Sequence, residues 1–282
     1  MVKILDIYRK GCVILEERLE GNLIIIGGAE DKRGDKHILK EVCSKLDKEE
    51  DILVVATIAS EIPEELGSEY NTVFKELGIK NIRILNIEKR TSAYYKENID
   101  KIENAALIFF TGGDQLRITS LIGGTPLYSK IKDLYKNGCI FVGTSAGASV
   151  MSDTMIVTGP DDEAPKKCTL KMAPGLGFIK GVIIDQHFAQ RGRIGRLLVG
   201  IAENPESLGI GIDEDTAIVV KDNGEFKVIG SGAVYIIDGS NISCTNVSEQ
   251  YPEEVLSIFD VKLHVLKNGN KFNIISKLPY SD

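Results

Sequence analysis

The sequence predicts an α/β fold, because short apolar runs alternate with segments of helical periodicity throughout its first half. The apolar runs have the length and composition of strands that are buried on both faces. The predicted strands are residues 23–28, 52–60, 82–87, 106–113 and 139–145, and the predicted helices between them are residues 37–46, 64–78, 92–105 and 126–138. This alternation predicts a mostly parallel sheet with helices on both of its sides.

The second half of the chain indicates additional antiparallel strands. Residues 181–188 predict one more strand followed by a helix, and two alternating segments within residues 261–275 are joined by Asn-Gly, which predicts a hairpin. Three further strands, separated only by turns, are predicted at residues 209–220, 225–232 and 233–238. Since no linker or repeat interrupts the chain, we expect one α/β domain over residues 1–282 with an antiparallel extension.

Residues 158–177 are expected to form a long loop near the functional edge of the sheet. They contain three prolines, several acidic residues and little periodicity. Binding and catalytic residues are often found on such loops, because a rigid scaffold positions them.

The composition is that of a globular protein and excludes several classes of partner. Of the 282 residues, 43% are hydrophobic and 27% charged, and the formal net charge of −7 gives the chain no general attraction for nucleic acid or an anionic membrane. The apolar runs fall well short of the roughly 20 residues that span a bilayer. Asp6, Arg9, Lys10 and Glu16 interrupt the N-terminal segment, which argues against a secretory signal. We therefore expect a cytoplasmic protein.

The five cysteines are expected to be reduced packing residues. They are Cys12, Cys43, Cys139, Cys168 and Cys244. Their number is odd and they include no C-x-x-C pair. They therefore predict neither a disulfide framework nor a zinc site.

Residues 143–147, Gly-Thr-Ser-Ala-Gly, have the sequence context of a nucleophile elbow. They follow a predicted strand and precede a helix start, and their small side chains permit the sharp turn that exposes a serine hydroxyl. Ser145 is therefore a candidate nucleophile at the carboxyl end of the sheet, where open α/β folds bind their substrates. The alternative is a plain glycine-rich turn, or a phosphate cradle at a helix N-terminus.

His187 is the candidate general base for that serine. Of the three histidines in the chain, His37 begins an amphipathic helix and His264 lies in a hairpin strand, so both are most simply structural. His187 ends a predicted strand and lies at the same sheet edge as Ser145 if the two strands are parallel. The alternative is a hydrogen-bonded histidine at a strand end.

A carboxylate is needed to orient the imidazole, because three nearby arginines disfavour its protonated form. Strand alternation would place Glu214 on the face of the apolar residues before it, where a carboxylate would be partly buried and paired. We choose Glu214 as the acid and Asp153 as the second choice. The three consecutive acids at 213–215 are alternatively a solvated turn. The chain order Ser, His, acid differs from that of the α/β-hydrolases.

Strand-end glycines supply candidate oxyanion donors. Residues 111–114, Thr-Gly-Gly-Asp, close another predicted strand and let backbone N–H groups approach a ligand, so Gly113 and Ala146 are the expected donors. Gly27 and Gly28 end a third strand, and the sequence leaves open whether they line the site or only turn the chain. No metal or cofactor is expected, since no cluster with ligand spacing accompanies the one histidine near the proposed site.

Five segments together resemble the cyanophycinase family of serine peptidases, which also includes aspartyl dipeptidase. They are residues 27–32 (GGAEDK), 109–115 (FFTGGDQ), 143–149 (GTSAGAS), 185–197 (DQHFAQRGRIGRL) and 211–217 (GIDEDTA). They occur in the family's order over about 190 residues, and the fourth is the most specific. The resemblance implies a three-layer α/β/α sandwich like that of class I glutamine amidotransferases, in which a cysteine takes the place of the elbow serine.

The resemblance also implies roles for individual residues. Ser145 would be the nucleophile, His187 the base and Glu214 its acid, in agreement with the choices made from spacing. The implied substrate-binding residues are Gln115, Asp185, Gln186, Arg191, Arg193 and Arg196. The family's substrate is cyanophycin, a polyaspartate backbone with arginine on each β-carboxyl, and its cleavage releases β-aspartyl-arginine dipeptides. Arginine forks would suit the carboxylates of such a repeat. The family suggests a homodimer.

The leading hypothesis is a cytoplasmic serine exopeptidase that hydrolyses cyanophycin or β-aspartyl peptides through an acyl-enzyme on Ser145. One alternative is an aspartyl dipeptidase that cleaves ordinary Asp-X dipeptides, against which the cluster of arginines argues. The other is a non-catalytic protein of the same fold that binds a small anion. That alternative predicts no reaction with serine-directed reagents.

Overall fold

The centre of the fold is a nine-stranded mixed sheet, seen in a computed structural model that describes residues 23–249 and 251–280. Its parallel half consists of β1 (Leu23–Ile26), β2 (Ile52–Ala56), β3 (Asn81–Leu85), β4 (Ala105–Phe110) and β5 (Ile140–Thr144), in the spatial order β3-β2-β4-β5-β1. β1 is buried along its whole length, because Ile24 and Ile26 pack on one side of the sheet and Leu23 and Ile25 on the other. Burial on both faces explains the continuous apolar runs.

Helices cover both faces of this half. They and the later helices are α1 (His37–Cys43), α2 (Pro63–Glu76), α3 (Lys96–Lys101), α4 (Gln115–Ile122), α5 (Pro126–Lys136), α6 (Ala146–Ser149) and α7 (Ile194–Glu203). α1 and α2 pack on one face, and α4 and α5 on the other. α2 and α5 begin with proline, whose missing N–H costs nothing in a first helical turn. The predicted α/β class is confirmed.

The second half of the chain extends this sheet and builds another. Its strands are β6 (Thr154–Thr158), β7 (Lys171–Pro174), β8 (Val182–Gln186), β9 (Leu208–Ile212), β10 (Thr216–Val220), β11 (Glu225–Gly230), β12 (Ala233–Asp238), β13 (Cys244–Thr245), β14 (Ile258–Phe259), β15 (Lys262–Lys267), β16 (Lys271–Asn273) and β17 (Leu278–Tyr280). β10, β11, β16 and β17 continue the nine-stranded sheet beyond β1 as antiparallel strands. β6 pairs with β7, and β13 with β14.

A four-stranded second sheet, in the order β15-β12-β9-β8, packs against the first. Ile184 and Ile210 on its inner face join the same apolar core as β1 and β5. Its outer face is covered by α7, through Leu197 and Ile201. β8 and β9 are parallel, and the residues that follow them approach the ends of β1 and β5. The packing of the two sheets against each other forms the candidate active site.

The Asn-Gly segment does not form the predicted hairpin. β15 pairs with β12 in the second sheet, whereas β16 pairs with β11 in the first. The turn itself is present, with Gly269 at a φ of 89°. The prediction was wrong because turn residues specify a change of direction, and the two strands then found different partners.

Other element predictions need smaller corrections. The predicted strand at 209–220 is two strands, β9 and β10, in different sheets. The predicted loop at 158–177 contains β7, and the helix predicted at 92–105 is a 3-10 turn, Arg90–Tyr94, followed by the short α3. Helix α4 was not predicted; it begins just after the glycines that follow β4 and has only 8 residues.

The cysteines divide into two groups. Cys43 and Cys139 are buried free thiols, as expected for packing residues, but Cys168 and Cys244 are exposed, so the prediction was wrong for these two. Cys12 lies outside the described residues, as do the four charged residues invoked against a secretory signal. Within the described ranges, no helix is long and apolar enough to cross a membrane.

Candidate active site

Ser145 lies in a strained turn directly after β5. Its φ of 53° and ψ of −114° fall outside the regions that L-residues favour, and its backbone N–H donates to the Ile26 carbonyl at 3.1 Å. A Cβ on Gly143 would lie 2.1 Å from the Gly147 carbonyl oxygen, and one on Gly147 would lie 2.2 Å from that of Phe110. The turn therefore has the geometry of a nucleophile elbow and requires both flanking glycines.

Ser145, His187 and Glu214 form a hydrogen-bonded chain. Ser145 Oγ lies 2.9 Å from His187 Nε2, and His187 Nδ1 lies 2.6 Å from Glu214 Oε1. A carboxylate on Nδ1 selects the tautomer in which Nδ1 carries the proton and Nε2 has a lone pair for the serine hydroxyl. The arrangement can therefore move a proton from Ser145 Oγ to the imidazole.

The surroundings of His187 favour its neutral form. Burial is the main cause that lowers the pKa of His187 below 6.5, and the Arg191 guanidinium lowers it further, whereas the hydrogen bond with Glu214 acts in the opposite direction. Because the net shift is downward, the imidazole is neutral at pH 7 and can accept a proton.

Gly27 and Gly28 line the candidate site and bring His187 into position. The backbone N–H of His187, whose φ is 48°, donates to the Gly27 carbonyl at 2.8 Å. A Cβ on Gly28 would lie 2.4 Å from His187 Cε1, and one on Gly27 would lie 2.1 Å from the Asp213 carbonyl oxygen. These two glycines therefore line the site and do not only turn the chain, because the absence of a Cβ lets the second sheet approach β1.

The three consecutive acids at 213–215 have separate partners. Asp213 is buried and accepts the backbone N–H groups of Ala189 at 2.9 Å and Ala233 at 3.0 Å. Asp215 accepts the Ser231 hydroxyl at 2.7 Å. Asp213 and Asp215 therefore hold loops together, and the alternative of a merely solvated turn does not apply.

Glu214 reaches His187 for a reason that strand alternation did not supply. Residues 213–215 form a turn between β9 and β10, so alternation does not extend to them. The turn is fixed by Gln190, whose Oε1 accepts the Glu214 backbone N–H at 3.0 Å. Asp153, the second choice, is exposed, and its carboxylate accepts the backbone N–H of the next residue at 3.0 Å.

Gly112 and Gly113 approach the elbow from the end of β4. A Cβ on Gly112 would lie 3.3 Å from Ser145 Cβ and 3.6 Å from Ser145 Oγ. Gly113 has a φ of 139°, and a Cβ there would lie 2.1 Å from the Ala59 carbonyl oxygen. The backbone of Gly112 therefore lies against Ser145, and that of Gly113 lies against Ala59. Oxyanion binding by the N–H groups of Gly113 and Ala146 stays a prediction.

The three predicted substrate-binding arginines differ in their environment. Arg193 and Arg196 are 5% and 7% exposed, whereas Arg191 is exposed. Arg193 Nε and Nη2 donate to Asp161 at 2.8 and 3.2 Å, and Arg196 Nη1 donates to Asp161 at 3.0 Å. Arg196 Nε donates to Asp185 at 2.7 Å. Two buried cations are therefore neutralised by two carboxylates, and the exposed cation of the three is Arg191.

The remaining predicted binding residues are buried and engaged within the protein. Gln115 starts α4, and its Nε2 donates to the carbonyls of Ile156 and Val157 at 2.8 and 3.0 Å. Gln186 accepts from Arg193 Nη1 through its carbonyl at 2.6 Å and its Oε1 at 3.0 Å. Contacts within the protein therefore hold both side chains in place.

The partners of two acidic residues were not predicted from the sequence. Asp161, in the acidic segment 158–177, binds both Arg193 and Arg196. Glu30 is buried and accepts the Thr144 hydroxyl at 2.5 Å, although it lies in one of the segments that carried the resemblance. Among the residues that the structure describes, no group of His, Cys, Asp and Glu is arranged to hold a metal ion.

Comparisons with known proteins place the chain in a family. Residues 23–229 match peptidase family S51. The chain is 39% identical over 260 residues to the cyanophycinase of Geminocystis herdmanii, which covers 92% of this chain and 96% of that protein. It is 36% identical over 256 residues to the cyanophycinases of Synechococcus elongatus and Trichormus variabilis, over 90% of this chain and 80% or 86% of those proteins.

The fold is also found among solved structures. The crystal structure of a peptidase from an acI-B1 Actinobacterium aligns with a TM-score of 0.59 at 23% identity, over 86% of this chain and 96% of that one. At that identity the likeness concerns the fold, and it agrees with the glutamine amidotransferase-like architecture expected from the sequence. The sequence matches go further: the chain belongs to peptidase family S51 and is a serine-type peptidase.

Proposed function

We propose that the chain is an exopeptidase that hydrolyses cyanophycin and releases β-aspartyl-arginine dipeptides. The observation that carries the proposal is the hydrogen-bonded chain from Ser145 through His187 to Glu214. These three hydrogen-bonded residues occur in a protein that is 39% identical to a cyanophycinase over nearly its whole length. Together they supply a nucleophile, a base and a substrate class.

In the proposed reaction, His187 Nε2 accepts the proton of Ser145 Oγ as that oxygen attacks the scissile carbonyl. The N–H groups of Gly113 and Ala146 would bind the oxyanion that forms. Collapse breaks the C–N bond, His187 gives its proton to the leaving amine, and the acyl group stays on Ser145. A water molecule deprotonated by His187 then attacks the ester, the bond between the acyl carbon and Ser145 Oγ breaks, and His187 returns the proton to Ser145 Oγ. Glu214 stabilises the imidazolium in both halves.

The charged groups near His187 suit a substrate that carries both negative and positive charges. The exposed Arg191 offers a guanidinium to a substrate carboxylate. The Asp161 side chain, 40% exposed, keeps a carboxylate at the surface, where it could meet the arginyl group of a repeat unit. Arg193 and Arg196 would act mainly by fixing Asp161 and Asp185 in place.

We also propose the cellular setting and assembly that the sequence suggested. The chain would act in the cytoplasm as a homodimer with one peptidase domain over residues 1–282. One apolar core that contains both Leu23 and Phe272 supports the single domain. Apolar side chains on the edge strand β15, Leu263 and Val265, are 49% and 57% exposed and support self-association. Limited proteolysis and sedimentation would test these two points.

The test of the function is an assay of the purified protein on cyanophycin, with mass analysis of the products. We expect β-aspartyl-arginine from the parent and none from Ser145→Ala, which should remain folded because only one oxygen is removed. A product other than this dipeptide, or turnover by Ser145→Ala, would contradict the proposal. Preference for α-linked Asp-X dipeptides would favour the aspartyl dipeptidase alternative. Absence of hydrolysis together with absence of labelling by serine reagents would favour the anion-binding alternative.

A further inference from the structure

We infer that Glu30 is a positioning residue of this site, whose buried carboxylate acts through Thr144 to hold Ser145 in its elbow conformation. The inference rests on the proposed role of Ser145 as the nucleophile. It assigns a task to a residue that touches neither substrate nor the reacting atoms.

Glu30 is bound by two hydroxyl groups. Glu30 is 5% exposed. Its Oε2 accepts the Thr144 hydroxyl at 2.5 Å, and its Oε1 accepts the Tyr70 hydroxyl. Among the described residues, Glu30 has no ion-pair partner. The ammonium of Lys32 lies 4.3 Å from the centre of the Tyr70 ring and is paired with Glu69 at 3.1 Å.

A buried carboxylate with no cation beside it among the described residues destabilises the folded protein more than an apolar side chain would. Removing its charge from water carries a large penalty, and an apolar side chain of similar volume would avoid that penalty. Two hydroxyl donors offset part of the penalty and fix the carboxylate in one orientation. Such a group is therefore suited to holding a neighbour in place, and the neighbour is Thr144.

Thr144 passes this restraint directly to the nucleophile. It is the last residue of β5 and precedes Ser145, whose φ of 53° and ψ of −114° are maintained only if the surrounding structure holds them. The Ser145 backbone N–H is bound by Ile26 at 3.1 Å, and the Thr144 side chain is bound by Glu30. The elbow is therefore restrained at both Thr144 and Ser145, the two residues at which the chain turns.

The short segment that contains Glu30, residues 26–31, also holds the other two members of the hydrogen-bonded chain. The Gly27 carbonyl accepts the His187 N–H at 2.8 Å, and the Gly28 carbonyl accepts the Asp215 N–H, next to Glu214, at 2.9 Å. Glu30 therefore fixes the nucleophile relative to the segment that also positions the base and the acid.

The experiment compares Thr144→Val, which removes the hydroxyl with little change in shape, with Thr144→Ser, which keeps the hydroxyl. The matched control is Thr57→Val, at a threonine that is 0% exposed directly after β2 and whose hydroxyl has no hydrogen-bond partner among the described atoms. The measurements are kcat and KM on cyanophycin, the rate at which a fluorophosphonate labels Ser145, and the melting temperature.

We expect Thr144→Val to lower kcat and the labelling rate by roughly 10- to 100-fold with KM within about twofold, the size of effect that follows from a slightly misplaced reacting group. Thr144→Ser should recover most of the rate and Thr57→Val should keep all of it. Glu30→Met, which removes both acceptor oxygens at similar volume, should show the same loss, and the double variant Glu30→Met/Thr144→Val should lose little more than either single variant, because both break the same contact.

Labelling of Ser145 separates this inference from the proposed function. If the parent is labelled but does not cleave cyanophycin, the proposed substrate is wrong and the comparison of labelling rates still decides the role of Glu30. Parent-like labelling in Thr144→Val, failure of Thr144→Ser to recover, or an equal loss in Thr57→Val would overturn the inference. If Thr144→Val does not fold, Glu30→Met tests the same contact from its other side, and parent-like labelling there would overturn the inference as well.

Discussion

The ring of His187 lies so close to Gly28 that a Cβ on this glycine would be 2.4 Å from Cε1 and 2.5 Å from Nε2. His187 follows β8 in the second sheet, and Gly28 follows β1 in the first. His187 therefore reaches Ser145 across a contact between two sheets that has no room for a side chain. This makes Gly28 a sensitive point for activity.

Gly28→Ala should displace the imidazole and lower kcat/KM by at least about 100-fold, since a shift of one ångström in a reacting group has that effect. The matched control is Gly138→Ala. Gly28 and Gly138 have φ values of 100° and 91°, but a Cβ on Gly138 has no atom within 4 Å. Both variants should lose about 1 kcal/mol or more of unfolding free energy from backbone strain. Only Gly28→Ala should lose activity, and parent-like turnover there would refute the importance of the contact.

The parallel half of the fold was predictable because its strands are buried on both faces, and continuous apolar runs record that directly. The partners of the later strands were not. β15 and β16 are neighbours in sequence but lie in different sheets, and an Asn-Gly turn carries no information about which existing sheet edge each strand will meet. Pairing there depends on the surfaces that the rest of the chain has already formed.

The site shows the same division. Ser145 and His187 were predictable because an elbow and a strand-end histidine have local signatures. Glu214 was chosen on a strand pattern that does not exist, and it is the turn at 213–215 that brings its carboxylate to the imidazole. The pairing of Arg193 with Asp161 spans 32 residues and depends on where the 158–177 segment folds back. No local pattern in the sequence reports that position.

Glu214→Gln should lower kcat by about 10³- to 10⁴-fold with little change in KM, because a neutral amide can neither stabilise the imidazolium nor select the correct tautomer. Asp153→Asn is the control, since this exposed carboxylate binds the N–H of its neighbour and should leave both constants unchanged. Steady-state kinetics on cyanophycin would measure both. Loss in Asp153→Asn with retention in Glu214→Gln would reverse the assignment of the acid.

The pH dependence follows from the direction of the His187 shift. Burial and the Arg191 guanidinium lower the pKa of His187 below 6.5, and the base must be neutral to act. The acidic limb of kcat/KM should therefore have an apparent pKa below 6.5, with activity lost only as pH falls through that value. Arg191→Ala removes one of the groups that disfavour imidazolium, so its acidic limb should move to higher pH. An unchanged limb, or a shift to lower pH, would show that Arg191 does not act on the base.

The arginines should divide into two classes when they are replaced. Arg191 is exposed, so Arg191→Ala should leave stability unchanged. It should weaken cleavage of cyanophycin far more than cleavage of an activated ester, which needs only the nucleophile, the base and the oxyanion donors. Arg193→Ala instead leaves Asp161 and Asp185 with one cation, Arg196. The unpaired charge should cost roughly 3 kcal/mol of stability. Loss of the Arg193 contacts should also disturb Gln186, which directly precedes His187, so both substrates should be affected.

The comparison requires kcat/KM on cyanophycin, on α-linked Asp-X dipeptides and on the ester, together with thermal unfolding, for the parent and both variants. Arg191→Lys serves as a matched variant, because it keeps the charge but loses the planar fork that binds a carboxylate through two hydrogen bonds. It should recover part of the cyanophycin activity that Arg191→Ala loses and, like Arg191→Ala, should be as stable as the parent. If Arg191→Ala loses ester and cyanophycin activity equally, its guanidinium acts on the base and not on the substrate. If Arg193→Ala is as stable as the parent, the buried ion pairs with Asp161 and Asp185 are not what holds this side of the site together.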